Sequence, residues 1–290
     1  MNDLVTIYIT SIDRELLLER AVNSVLTQTY SNIELIIIDD GSKKFSPIDV
    51  FKKNKWDQDK RIKLFVNEEN KGACYSRNIA IKVASGKFIT GLDDDDYFHP
   101  LRIELLLKAY NSGNYSAVNS LYSFSPESET SLTLPLKYKI KENLTLPQIV
   151  SIHDLKVYNK LNNNVLTETY KLREIGGFDE NFKALQDYDT WFRLLEKFGP
   201  ALIVPKVLYF HYIHNSSITA THGKSLIGHK AFIEKHKEAL TSSGLQNFEI
   251  LMEQKKKSKV SVMTILKNLN SSNLGRCFYL LIKGKVTFIN

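Results

Sequence analysis

GKFITGLDDDDYFHPLRI, residues 86–103, decides the fold: an apolar run, Phe88 to Leu92, passes directly into four consecutive aspartates, Asp93 to Asp96. A short apolar run without alternation reads as a strand covered on both faces. Pro100 then opens a helix carrying Ile103, Leu106, Leu107 and Tyr110 on one side. Adjacent carboxylates repel one another at neutral pH unless they are solvated or face a cation. An oxygen-rich cluster at a strand end suits a hard divalent ion such as Mg2+ or Mn2+. A solvated acidic turn is the alternative for the run taken alone.

Outward from this stretch the pattern repeats. Val5 to Ile9 is a β-branched apolar run, followed by the polar break Thr10 to Arg14. Leu17, Ala21, Val22, Val25 and Leu26 then recur at helical steps. Ile33 to Ile38 is a second buried strand ending in the turn signal Asp39-Asp40-Gly41-Ser42. Ile62 to Val66 is a third strand, and Gly72 to Val83 returns to helical spacing. Strands alternating with helices imply βαβ units and a mostly parallel sheet, whose ligands bind beyond the carboxyl ends of the strands. Thr10 to Arg14, Asp39 to Ser42 and Asp93 to Asp96 all follow strand ends, so they converge on one crevice.

Residues 111–165 are less regular, with a strand near Ala117 to Leu121 followed by loops or a hairpin. Order returns with a helix over Asp187 to Phe198, two short strands over Ala201 to Val204 and Val207 to Tyr212, and a helix from Ser225 to about residue 240.

The 290 residues are 43% hydrophobic and 24% charged, which excludes a disordered or fibrous chain. The net charge of +7 lies in residues 251–290, where eight Lys or Arg face one acid, Glu253; the other 250 residues carry 31 of each sign. The body is therefore not a nucleic-acid binder. The basic tail, with Leu266, Leu269, Leu274 and Phe278 to Ile282 interleaved, suits an anionic membrane surface, or equally a solvated or dimer-packing helix. Cys74 and Cys277 have no metal-ligand spacing and fit a reducing compartment. No signal peptide and no spanning segment is read, so the expectation is a cytoplasmic protein, peripheral at most on the inner face of the cell membrane.

Single residues keep two readings at this level. Asp40 can accept from a base or ribose, or can cap the Gly41-Ser42 turn. Arg77 can reach a diphosphate or pair with a surface acid. Asp187 can be a helix N-cap or a general base.

Taken together, VTIYITSIDR (5–14), AVNSVLTQTYSNIELIIIDDGS (21–42), NKGACYSRNIAI (70–81), the opening stretch and IGGFDENFKALQDYDTWFRLL (175–195) resemble family 2 glycosyltransferases, in order and spacing. The resemblance spans about residues 3–220. It implies an α/β GT-A (Rossmann-like) fold, with a mostly parallel central sheet flanked by helices and, beyond it, a basic helical C-terminal extension. The catalytic domain is expected over 1–222, divided into a nucleotide-sugar half (1–110) and an acceptor half (111–222), with the extension over 223–290. By the same resemblance Thr10, Asp13, Asp40, Arg77, Asp93 and Asp94 line the nucleotide-sugar pocket. Asp95 holds Mn2+ or Mg2+, His214 stands near the diphosphate, and Asp187 is the base of an inverting transfer. Acceptor contacts are expected from Thr167, Glu168 and Trp191. The implied donor is a UDP-hexose. The implied acceptor is a saccharide or lipid-linked saccharide of lipopolysaccharide, O-antigen or capsule synthesis. Ile12 and Asp13 replace the aromatic residue and Asn frequent in such first loops, and Tyr212 replaces an Arg. A nucleotidyltransferase and a non-catalytic sugar-nucleotide-binding module are the rivals, the first disfavoured because Thr10 to Arg14 contains no glycine.

Overall fold

The computed structural model describes residues 2–125, 146–162, 164–212, 222–257, 259–271, 273–283 and 285–287. Four strands, β1 (Val5–Ser11), β2 (Ile33–Asp39), β3 (Ile62–Val66) and β4 (Phe88–Asp93), form a parallel sheet in the order β3-β2-β1-β4. Between them run α1 (Glu15–Leu26), α2 (Pro47–Lys53) and α3 (Ala73–Val83). Alternation along each strand divides the core between two faces. Val5, Ile7 and Ile9 face Leu18, Ala21, Val22 and Val25 of α1 and, with Ile103, Leu106 and Leu107, α4 (Arg102–Tyr110). Tyr8, Ile36, Ile38 and Ile89 face α3 and α7 (Gln186–Phe198).

The second half extends the sheet and makes it mixed. After the two-residue β5 (Tyr97–Phe98) and α4 come β6 (Ala117–Ser125), β7 (Gln148–Val150), β8 (Leu166–Glu168) and β9 (Ala201–Tyr212), with α5 (Ile152–Leu155) and α6 (Thr169–Glu174) among them. The order continues β4-β8-β6-β9-β5, with β7 also on β9. β6 and β9 are parallel, whereas β8 lies antiparallel to both neighbours. The two strands expected over 201–212 are one, irregular in its middle: Pro205, Lys206 and Leu208 of β9 are extra residues opposite Ser120 to Tyr122 of β6. β8 pairs only two residues with β4 and two with β6.

α8 (His222–His236) lies in the stretch expected as a C-terminal extension over 223–290. Phe232 of α8 and Phe248 of α9 (Ser242–Lys257) nevertheless join the core beneath α7, where Phe232 stacks on Tyr188 at 4.0 Å. Beyond them α10 (Val262–Asn268), α11 (Leu274–Ile282) and the pair β10 (Val260–Ser261) and β11 (Val286–Thr287) enclose a separate small cluster of Ile250, Val260, Ile265, Cys277 and Leu280.

Candidate active site

The four aspartates at the end of β4 are held differently. Asp93 meets Arg77 of α3 at 3.1 Å. Asp94 accepts from Ser11 Oγ at 2.7 Å and from Arg14 at 2.9 Å, and the same Arg14 nitrogen lies 2.9 Å from Asp95. Burial pushes the Asp94 carboxyl up to about 6, against the pull of Arg14. Asp96 is buried and accepts from Tyr209 Oη at 2.8 Å, His211 Nδ1 at 2.8 Å and the Tyr212 amide at 3.0 Å, which fastens the acid loop to β9. Burial alone would lower the His211 imidazolium, but the Asp96 carboxylate holds its proton and raises it. Beneath the loop Arg102 is fully buried, with no carboxylate partner among the described residues. It donates to Ser120 Oγ, Asn119 Oδ1 and the Asn164 carbonyl, and lies over the Phe98 and Tyr209 rings.

On the β2 side the turn acids are held by backbone amides. Asp39 Oδ1 accepts from the Gly41 and Ser42 amides. Asp40 accepts from the Lys71 and Gly72 amides, Asn67 Nδ2 and Ser76 Oγ, at 2.8–3.0 Å. Gly41, at φ +79°, is required here: a Cβ would lie 2.5 Å from the Glu69 carbonyl carbon. Asp13, itself at φ 56°, accepts from the Lys43 and Lys44 amides, and those donors hold its carboxyl below the usual range. Thr10 is the β1 residue in register with Asp93.

Asp187 reaches the same edge from α7. Its local reading as an N-cap is corrected: Leu185 caps the helix, in the left-handed region at φ 61°, and Asp187 is the second helical residue. Asn159 Nδ2 donates to it at 3.0 Å. Burial pushes its carboxyl up to about 6, while the Tyr188 and Asp187 amides and Arg77 pull the other way and Asp93 adds to the rise. Arg77 thus lies beside Asp93 and near Asp187, and Arg14 beside Asp94 and Asp95, with the Asp94 and Asp187 carboxyls both raised toward neutrality.

The glycosyl transferase family 2 pattern matches residues 6–171. WcaA of Escherichia coli K12, named for colanic acid biosynthesis, is 30% identical over 285 residues, covering 94% of this chain and 95% of its own. The chain belongs to glycosyl transferase family 2. A second Escherichia coli relative, the UDP-Glc:alpha-D-GlcNAc-diphosphoundecaprenol beta-1,3-glucosyltransferase WfgD, is 31% identical over 68% of this chain and 72% of its own. Among solved folds, the mannosyltransferase PcManGT of Pyrobaculum calidifontis, crystallised with GDP-Man and Mn2+, superposes with a TM-score of 0.64 at 14% identity, covering 98% of this chain and 80% of that one. TarS of S. aureus (residues 1–349) with UDP-GlcNAc gives 0.60 at 13%, covering 96% and 79%.

In this glycosyltransferase the expected nucleotide-side residues gather at one edge of the sheet, and the expected acceptor residues do not. Thr167 and Glu168 pair with Ile89 and Phe88, at the opposite end of β4 from Asp93. Thr167 Oγ1 donates to the Ser116 carbonyl, and Glu168 accepts from Tyr110 and Lys171. Trp191 is buried, its Nε1 donating to the Asn162 carbonyl. His214 lies outside the described residues. Arg14, Asp96, Asn159, Tyr209 and His211 were missed as site residues. Only Arg14 carried a local signal, sitting in the first loop beside Asp13.

No group of three or more His, Cys, Asp or Glu among the described residues is arranged to hold a metal. The donor set still fits Mg2+ or Mn2+, since such ions commonly take one or two carboxylates and complete their shell with substrate phosphates and water. Asp95 and Asp93 are the carboxylates that would hold such an ion, and each also lies beside an arginine, Arg14 and Arg77.

Proposed function

We propose that this glycosyltransferase moves a hexose from a nucleotide-sugar, in the first instance a UDP-hexose, to a saccharide or lipid-linked saccharide acceptor in cell-surface polysaccharide synthesis, with inversion at the anomeric carbon. The observation that carries this reading is the meeting of Arg77, Asp93 and Asp187, from three separate elements, at the carboxyl edge of the parallel strands. WcaA's assignment to colanic acid and WfgD's lipid-linked acceptor support the pathway and acceptor class. The nucleotide-sugars bound by the structural neighbours support the donor class.

Mn2+ or Mg2+, held by Asp95 with Asp93, would neutralise charge on the departing diphosphate. Arg77 offers its guanidinium to the same diphosphate. Thr10, Asp13 and Asp40 border the base and ribose, while Asp94, tied to Ser11 and Arg14, orders the first loop against the acid loop. Asp187 accepts the proton of the acceptor hydroxyl as its oxygen bonds the anomeric carbon. The bond from that carbon to the diphosphate oxygen breaks, its electron pair leaving with the diphosphate. An α-linked donor gives a β-glycoside. A carboxyl near 6 is well matched to this task at neutral pH.

The test is UDP release from a panel of UDP-sugars, with and without Mn2+, by the wild type and by Asp95→Ala. Metal-dependent release from one donor, lost in the variant, is expected. A wild type that releases nothing, with or without acceptor, and binds no UDP by calorimetry would sink the reading.

A peripheral membrane contact belongs to the same proposal. No helix among the described residues is long and apolar enough to cross a membrane. α11, however, buries Cys277 and Leu280 and exposes Leu274, Phe278, Leu281 and Ile282 at i, i+4, i+7 and i+8. Leu266 of α10 is 64% exposed. This apolar face lies in the segment bearing the +7 charge. Two such tails would repel one another, whereas an anionic bilayer attracts both features. Co-sedimentation with phosphatidylglycerol vesicles but not phosphatidylcholine vesicles, abolished by Phe278→Glu, is expected. Equal recovery with both would refute the contact.

A further inference from the structure

With Thr167, Glu168 and Trp191 removed from the crevice, Asp187 is left to meet the acceptor hydroxyl, and no residue described so far holds the rest of the acceptor. The strand ends on the other flank of the acid loop supply a candidate. Tyr122 and Phe124 of β6 are 39% and 61% exposed. Single exposed aromatics are ordinary on a protein surface and call for no explanation. These two are packed together, with ring centroids 5.6 Å apart, and each also packs on His211, at 4.9 and 5.6 Å. His211 is the residue whose Nδ1 meets Asp96 at 2.8 Å. The three rings therefore form one surface, joined through a single carboxylate to the acid loop.

The strands hold that surface rigidly. Phe124 is in register with His211 and Tyr122 with Tyr209, so the rings come from paired positions of two parallel strands. Tyr209 packs on His211 at 4.8 Å and donates to the same Asp96 oxygen, which anchors the underside. Aromatic rings fixed in this way offer contact area at little cost in side-chain entropy.

We propose that Tyr122, Phe124 and His211 form the acceptor subsite, on which a pyranose ring of the acceptor saccharide lies with its C–H face against the aromatic rings. The chemistry of the patch matches that of a sugar, which has an apolar ring face rimmed by hydroxyls. Phe124 supplies the apolar contact. Tyr122 Oη and, with Nδ1 engaged by Asp96, the Nε2 side of His211 supply polar edges for hydroxyls. The position separates this ligand from the donor's nucleotide. Asp13, Asp40 and Arg77 lie at the β1, β2 and α3 side of the acid loop, and the rings lie on β6 and β9 at its other end. Two ligands that must react with each other are thereby placed on opposite flanks of the aspartates. This deepens the proposed transferase reading and rests on it for the word acceptor.

The experiment uses the full chain with UDP and Mn2+ present. Binding of p-nitrophenyl glucoside, galactoside and N-acetylglucosaminide is followed by saturation-transfer difference NMR. At least one pyranoside is expected to bind, with transfer concentrated on ring C–H protons. Phe124→Ala should weaken that binding about tenfold, Tyr122→Ala should weaken it by less, and Phe124→Trp should restore it. Tyr170→Ala, which removes an exposed ring packed on Phe198 near the opposite sheet edge, should leave it unchanged. Thermal melts should agree across these variants, because Phe124 contributes little to the core. No binding of any pyranoside by the wild type, or binding that Phe124→Ala leaves intact, would overturn the subsite. Pyranoside binding lost in Phe124→Ala, in a protein that releases UDP from no donor, with or without acceptor, and binds no UDP by calorimetry, would keep the sugar platform and defeat the transferase reading instead.

Discussion

The two faces of α7 treat neighbouring carboxylates in opposite ways. At the crevice, Asp187 has Asn159 as its side-chain donor and the helix-start amides, and burial lifts its carboxyl to about 6. Two residues on, against α8, Asp189 is fully buried, where Asp187 is half-buried. Burial alone would lift it too, but His236 at 2.9 Å, Arg193 at 2.7 Å and Lys235 at 2.8 Å bring it down to about 2. Arg193 also donates to the Ile175 and Gly177 carbonyls, so this cluster fastens α7 to the preceding loop and to α8. Burial is common to both sites, and the difference lies in how many positive partners each carboxylate has. One face leaves a carboxyl ready to take a proton, and the other uses its charge to hold the structure together.

Four measurements would break or sharpen this contrast, taken from the largest expected effect to the smallest. Asp187→Asn should lower kcat about 1,000-fold with little change in melting temperature, since removing a general base costs rate and not packing. Loss of fold instead of rate would erase the distinction. Asp189→Asn should do the reverse, destabilising by about 3 kcal/mol because buried cations lose their partner. For a chain of this size that lowers Tm by about 5 °C, readable by calorimetry. Activity of the folded fraction should persist.

The pH profiles should also separate. Asp187 works ionised, so kcat/KM should fall about tenfold per unit as pH drops below about 6. Asp189 has a folded-state value below its unfolded one. Its contribution to stability is therefore full above about 4, and is lost as pH falls toward about 2. A single transition shared by activity and stability would contradict the assignment. The smallest effect is expected at the far end of α7, where Lys197 and Glu174 pair at 2.9 Å but are 45% and 49% exposed. Lys197→Ala should shift stability by about 0.5 kcal/mol or less, in keeping with a solvated pair.

How far the site could be read from the sequence follows from sequence distance. The strands β1 to β4 are legible because strands covered on both faces need continuous apolar runs, as in Ile33 to Ile38. The acids after them are legible because parallel βαβ units bring strand ends to one edge. β8 is not: three residues that lie antiparallel between β4 and β6 leave no periodicity to detect. Nor is the pairing of Asp96 with His211, 115 residues away, or of Asp189 with His236, 47 residues away.

The sequence by itself determined the parallel nucleotide-side half, the acidic loop that ends it and the family to which the chain belongs, because those features are written in local runs and motif order. Only the tertiary structure decided which aspartate meets which cation, placed Thr167 and Glu168 at the opposite end of β4 from Asp93, and gathered Tyr122, Phe124 and His211 into one surface. Those outcomes depend on strand order and register, which are properties of pairings between distant segments and not of any one segment.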